Sequence, residues 1–386
     1  MIPLSVPNFE GNEEKYVLDA VSQGWVSTGG AYVEKLEKSI AKYVNVPQAV
    51  ACQSGTAALH LSLVECGVGI GDLVIVPTLT FIAAVNPVAY VHADPIFMDC
   101  DDSLCMDPEK LRSFCKDECT LIENSLIHIA SQKTVKAIIV VHVFGNMADM
   151  EEIMAISQEY HLKVIEDATE ALGTYYEKGT YAGSMAGSIG DFGVFSFNGN
   201  KIITTGGGGM IVSNNQNAIK HLKYLSTQAK DDAHFYIHHE VGYNYRMTNV
   251  QAAIGVAQME ELEEFIERKN KNYNLYYELF KNNSRSYILG FRENVRSNKW
   301  FYSLVLNRTE KSKDIRDYIY ELQDRGIQTR SIWGLIHEQK PYQNNICYKI
   351  EKARYYSDRI INMPCSTNIT EDDIRWVVST IKQVIY

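Results

Sequence analysis

The chain has 386 residues, 46% of them apolar and 22% charged, so it reads as a globular protein with one large domain and a smaller one. A net charge of −10 argues against general nucleic-acid binding, and no apolar run is long enough to span a bilayer. The opening Met1-Ile2-Pro3-Leu4-Ser5-Val6-Pro7 lacks the charged and apolar regions of a secretion signal. Eight scattered cysteines, with only Cys115 and Cys119 close together, give no zinc pattern, so no metal and a reducing, cytoplasmic setting are expected.

Residues 11–43 carry two helical patterns broken at Gln23-Gly24-Trp25-Val26-Ser27-Thr28-Gly29-Gly30. Trp25 and Ser27 either line a ligand groove or belong to a loop pinned by one buried aromatic, and the sequence leaves both open. A short strand ending at Cys52 then turns at Ser54-Gly55 into an Ala/Leu-rich helix. Free N–H groups and the positive dipole end at such a start make an anion site, with Ser54, Gly55 and Thr56 at hand; a plain N-cap is the alternative. A strand from Leu73 to Pro77 leads to Phe81, placed either to stack on a flat cofactor ring or to fill core.

Further strands are expected at Pro95–Asp99, Ala137–Val143 and Lys163–Asp167. A polar, helix-rich section lies between the first two, and a helix from Asp149 to Tyr160 precedes the last. This alternation predicts an α/β fold with a mostly parallel sheet covered on both faces, whose ligands bind at the carboxyl ends of the strands. Asp167 lies at such an end. A buried carboxylate must be paired, and a protonated pyridine nitrogen, an arginine or a helix N-terminus would serve. Glu170, three residues on, shares its face if the segment turns helical.

Between Asp191 and Val212 an apolar strand, Phe192–Phe197, ends in Asn198-Gly199-Asn200, and Lys201 follows before four glycines and a second strand. A lysine held between two buried strands has little room to reach water. Desolvation there favours its neutral, nucleophilic amine, the form that attacks the aldehyde of pyridoxal phosphate (PLP). A surface lysine in a glycine-rich hairpin is the bland alternative. Val241-Gly242-Tyr243-Asn244-Tyr245-Arg246-Met247-Thr248-Asn249 opens a long helix, capped by Thr248 or Asn249, that runs toward Phe280. A strand at Trp300–Leu306 and helices near Asp314–Asp324 and Thr370–Ile385 suggest a small α+β unit. The expected division is residues 1–265, with an N-terminal arm, and residues 266–386.

Taken together, Gly24-Trp25-Val26-Ser27, Ser54-Gly55-Thr56-Ala57-Ala58-Leu59, Glu166-Asp167-Ala168-Thr169-Glu170-Ala171-Leu172-Gly173, Ser196-Phe197 with Lys201, Gly242 through Asn249, and Thr329-Arg330 with His337 form an ordered set over nearly the whole chain. On these segments the chain resembles the DegT/DnrJ/EryC1/StrS sugar aminotransferases, and within them the 4-amino-sugar branch. The resemblance implies the aspartate-aminotransferase-like fold type I and a homodimer with shared active sites. Lys201 would carry PLP and move the proton, and Asp167 would pair with the pyridine nitrogen. Ser196, Ser54, Gly55 and Thr56 would hold the phosphate, with Asn244 reaching it from the partner subunit, and Phe81 would cover the ring. Arg246 is expected near a nucleotide diphosphate, His337 near the sugar or the donor carboxylate, and Trp25, Ser27 and Arg330 at the substrate. Glutamate would give the amine and a nucleotide-linked 4-keto-6-deoxy sugar would take it. The rival readings are a 3-keto-sugar aminotransferase and a PLP-dependent sugar dehydratase, in whose relatives a His replaces the lysine. Many members carry Gln where this chain has Glu170, beside the cofactor's phenolate oxygen.

Overall fold

A computed structural model describes residues 1–232, 234–307 and 314–385. Its largest element is a ten-stranded sheet. Seven of its strands are labelled here: β1 Gln48–Cys52, β2 Asp72–Pro77, β3 Asp94–Met98, β4 Thr134–Val141, β5 Lys163–Asp167, β6 Phe192–Ser196 and β7 Gly209–Ser213. They lie in the order β1-β7-β6-β5-β4-β2-β3, parallel from β3 to β6, with β7 antiparallel to both β6 and β1. Val74, Ile75, Val76, Ile138, Ile139, Val140, Val164 and Ile165 are fully buried, because helices cover both faces of the sheet; hence the near-continuous apolar runs.

Two features of this sheet differ from the sequence-based reading. The section expected to be helix-rich holds one helix, Pro108–Asp117, and then a hairpin, Cys119–Ile122 with Ser125–His128, whose second strand pairs with β4. At the other edge, Ile346–Tyr348 adds to β3 in parallel although it comes from the C-terminal third of the chain.

The four-glycine run has a steric reason at its last position. A Cβ on Gly209 would sit 2.6 Å from the Gly55 nitrogen, so only glycine lets β7 start against the Ser54–Gly55 turn. That contact fixes the turn to the end of β6 through the register Cys52–Gly209–Ser196.

The helix Asn249–Phe280 starts with a capping box, Thr248 with Gln251, and packs along the helices Glu13–Ser22 and Ala31–Tyr43. Its far end lies against a second, four-stranded antiparallel sheet, ordered Ser286–Ile288, Tyr302–Leu306, Ile360–Met363, Arg330–Ser331. The helices Ile315–Asp324 and Glu371–Ile385 pack on each other beside this sheet. Residues 2–6 are stitched to the same region. Ile2 exchanges backbone hydrogen bonds with Gly326 and Gln328 (2.8 and 2.9 Å), Cys365 donates to the Leu4 carbonyl (2.8 Å), and Val6 donates to Ser366 Oγ (3.1 Å). Among the described residues no helix is long and apolar enough to cross a membrane.

Candidate active site

The carboxyl ends of β1, β2, β5 and β6 open into a cavity of about 430 Å³. Ser54, Gly55, Thr56, Phe81, Asp167, Glu170, Ser196, Lys201 and Arg330 all line it, so sequence positions from 54 to 330 meet in one space. Lys201 is carried on the loop after β6, held by a turn in which its N–H donates to the Asn198 carbonyl (3.0 Å). Its side chain is 12% exposed. Burial is not its whole environment: Nζ lies 3.7 Å from Glu170 Oε1 and 4.2 Å from the centre of the Trp300 ring.

Asp167 ends β5 and is buried, with the Thr169 N–H donating to its carboxylate at 3.1 Å. No ion pair of Asp167 occurs among the described residues. Burial therefore pushes its carboxyl above the ordinary range, and the Thr169 bond and the Lys201 charge pull it only partly back. The strand end is fixed from behind. His142 donates its backbone N–H to the Asp167 carbonyl (3.1 Å), and its Nε2 lies 2.9 Å from Glu166, which also accepts the N–H groups of Gly187, Ile189 and Gly190. Ala148 donates to His142 Nδ1 (3.2 Å), so the proton sits on Nε2 and is given to Glu166.

Glu170 enters the cavity although the segment does not turn helical, since consecutive turns follow Asp167. One of its oxygens accepts the Phe144 N–H at 2.7 Å. Phe144 has φ 56°, a left-handed conformation that costs a bulky residue roughly 1–2 kcal/mol and here aims its N–H at the carboxylate. Burial raises Glu170 to about 7, against the opposing charge of Lys201. A carboxyl raised on folding stabilises the fold below its unfolded value, and that contribution is lost as pH rises through the folded value. The cofactor-free protein should therefore lose roughly 2–3 kcal/mol between pH 5 and 8 from this group. Glu170→Gln should flatten that part of the melting-temperature profile, and an unchanged slope would contradict the assignment.

Beside Lys201, the helix Gly55–Glu65 begins at the cavity wall. Ser54 caps it, its Oγ accepting from Ala57 at 3.0 Å, and Ala58 bonds to the Ser54 carbonyl. The N–H groups of Gly55 and Thr56 take no intrahelical partner, which leaves a positive dipole end. A Cβ on Gly55 would stand 3.1 Å from both Ser196 Cβ and Thr169 Cγ2, so the glycine keeps this floor open. Asn200 Oδ1, a buried oxygen with no hydrogen-bond partner among the described residues, belongs to a residue of the same wall.

Other expected site residues lie elsewhere in the single chain. Trp25 is 59% exposed, so it is not the buried pin of its loop. Asn249 pins that loop instead, donating to the Trp25 carbonyl (2.7 Å) from its side chain and to the Ser27 carbonyl (2.6 Å) from its backbone. Asn244 is exposed, and Ser27 is exposed on the loop. Arg246 is paired with buried Glu37 at 2.5 Å, which satisfies its charge away from the cavity. His337 lies outside as well, Nδ1 2.6 Å from Thr78 Oγ1, and burial lowers its pKa. Sequence reasoning missed the aromatic wall of Phe144, Trp300, Phe301 and Trp333.

A cavity lined by an anion cradle, by a buried carboxylate with no ion pair among the described residues and by a lysine amine fits a flat, phosphorylated, cationic ring. With this sheet order, these features define a fold type I PLP-dependent transferase. The chain belongs to the DegT/DnrJ/EryC1/StrS aminotransferase family, whose profile matches residues 7–382, and it is a PLP-dependent aminotransferase. It is 36% identical over 387 residues to the GDP-perosamine synthase of Caulobacter vibrioides, covering 100% of this chain and 98% of that one. It superposes with a DegT DnrJ EryC1 StrS aminotransferase from Brucella abortus (TM-score 0.87, 26% identity, 97% and 95% of the two chains covered). A similar match is the PLP form of Spr1654 from Streptococcus pneumoniae (TM-score 0.87, 25% identity, 99% and 98% covered).

Proposed function

We propose that this enzyme moves an amino group from glutamate to C4 of a nucleotide-linked 4-keto-6-deoxy sugar, in amino-sugar synthesis for surface glycans. The observation that carries this reading is the end-to-end 36% identity to a GDP-perosamine synthase. When bound, PLP supplies an electron sink for breaking and making C–H bonds beside the transferred nitrogen. Lys201 would hold the cofactor and supply the amine that moves a proton beside the transferred nitrogen. Asp167 would keep the pyridine nitrogen protonated. Ser54, Gly55, Thr56 and Ser196 would bind the phosphate, with Phe81 and Glu170 at the ring.

A homodimer belongs to the same proposal. Trp25, Ser27, Asn244 and Arg246 lie off the cavity of their own chain, and Leu18, Val21, Trp25 and Val26 leave an apolar surface exposed. A second copy would bring Asn244 to the phosphate and the others to the substrate, with Arg330 and His337 serving the sugar or the donor carboxylate. Two working domains, residues 1–265 and 266–386, are part of this reading; a separate four-stranded sheet in the second supports them. So is a cytoplasmic location, which eight free cysteines suit.

The test offers UDP-, GDP- and dTDP-linked 4-keto-6-deoxy sugars with glutamate and reads the products by mass spectrometry and NMR. A 4-amino product with one nucleotide is expected. Amination at C3, or no product from the panel, would refute the substrate reading.

A further inference from the structure

Trp300 is 3% exposed and touches the catalytic loop at two points. Its ring face lies under Lys201 Nζ, 4.2 Å from the centroid. Its indole N–H donates to the carbonyl of Asn200, the residue just before the lysine, at 2.7 Å. The residue is also anchored through its backbone and by one stacked ring. The Trp300 backbone N–H donates to Asn298 Oδ1 (3.0 Å), its carbonyl accepts from the buried Lys269 amine (2.7 Å), and Phe301 stacks on it at 4.0 Å and 13°. A side chain fixed this firmly, with one contact to the loop and another to the amine, sets where that amine can go.

We propose that Trp300 is a positioning residue for Lys201: its ring seats the free amine, and its N–H fixes the backbone from which the amine swings. The amine becomes free of the cofactor whenever an amino donor or product takes its place, and it must then stay near the reacting carbon. Glu170, at 3.7 Å, is the opposing wall of this seat; Asp167 and Arg330 are the other charged groups lining the cavity. A cation over a desolvated indole face is held by roughly 0.5–2 kcal/mol, or about two- to thirtyfold in population. The reading of Lys201 as the cofactor-bearing residue supplies the catalytic meaning of the seat, but the contact can be tested without it.

The test compares Trp300→Met with Trp300→Phe. Both replacements are smaller than Trp and lose the indole N–H, and only Phe keeps a ring face. In the full-length apoprotein at one fixed pH, acetic anhydride labelling of Lys201 is measured by peptide mass spectrometry relative to exposed Lys178. Trp300→Met should raise the relative rate about fivefold, while Trp300→Phe should stay within about twofold of wild type. A wild-type rate in Trp300→Met, or equal acceleration in both variants, overturns the proposal. Trp300→Leu replaces the Met variant if that one does not fold. In the holoenzyme, the plateau rate of the donor half-reaction should fall about tenfold in Trp300→Met at an unchanged half-saturating glutamate concentration, and an unchanged plateau rate also overturns it. If the enzyme uses another substrate, the labelling result is unaffected, so the two failures can be told apart.

Discussion

Lys201→Ala is expected to fold, to bind cofactor weakly and to transaminate no measurable substrate. Lys201 brings the one lysine amine among the described residues that line the cavity, and on the proposed reading it both attacks the cofactor aldehyde and moves the proton. Loss of an acid–base group alone costs about a hundred- to ten-thousandfold, and loss of the covalent attachment adds to that. Removing the amine also takes away the charge beside Glu170 at 3.7 Å. Lys201→Arg should be as inactive, because a guanidinium keeps the charge but neither attacks an aldehyde nor gives up a proton near neutral pH. The visible absorbance of the lysine–cofactor link should be missing in both variants. Turnover by Lys201→Ala near the wild-type rate would end the assignment.

The second large effect is expected at Asp167. Its carboxylate is buried, takes one backbone hydrogen bond and forms no ion pair among the described residues, so its charge is free to stabilise a protonated ring nitrogen. Asp167→Asn and Asp167→Ala should keep the fold, since removing a buried, raised carboxyl relieves desolvation. Activity should fall about a hundredfold or more, the roughly 3 kcal/mol that one aimed electrostatic contact supplies in a closed site. The loss should appear in kcat more than in KM, because the contact matters most when charge builds on the ring. A loss confined to KM would mean that Asp167 only holds the cofactor in place.

The parallel sheet was legible because its strands are buried on both faces and therefore spell unbroken apolar runs between turn residues. The hairpin at residues 119–128 was not, since Thr120, Leu121 and Ile122 are exposed and carry no alternation for a buried face to impose. Asp167, Lys201 and the Ser54–Thr56 turn could be read because each lies at a strand end, where local sequence fixes position. Glu170 reached the cavity by a route the sequence did not indicate, through turns and a left-handed Phe144. Trp300 could not be assigned from its neighbours, because only the docking of the second sheet brings it under a loop one hundred residues earlier.

The bonds that tie Ile2, Leu4 and Val6 to Gly326, Gln328, Cys365 and Ser366 also order events during synthesis. At about 5–20 residues per second, residues 2–6 wait roughly 20–70 s after they are made before the last of these partners leaves the ribosome. The seven strands β1–β7, all made by Ser213, can pair in that interval while the arm hangs free and the edge strand Ile346–Tyr348 is still to come. A fusion or deletion at residues 2–6 should therefore spare early collapse and slow the last step, the closing of the late-made sheet.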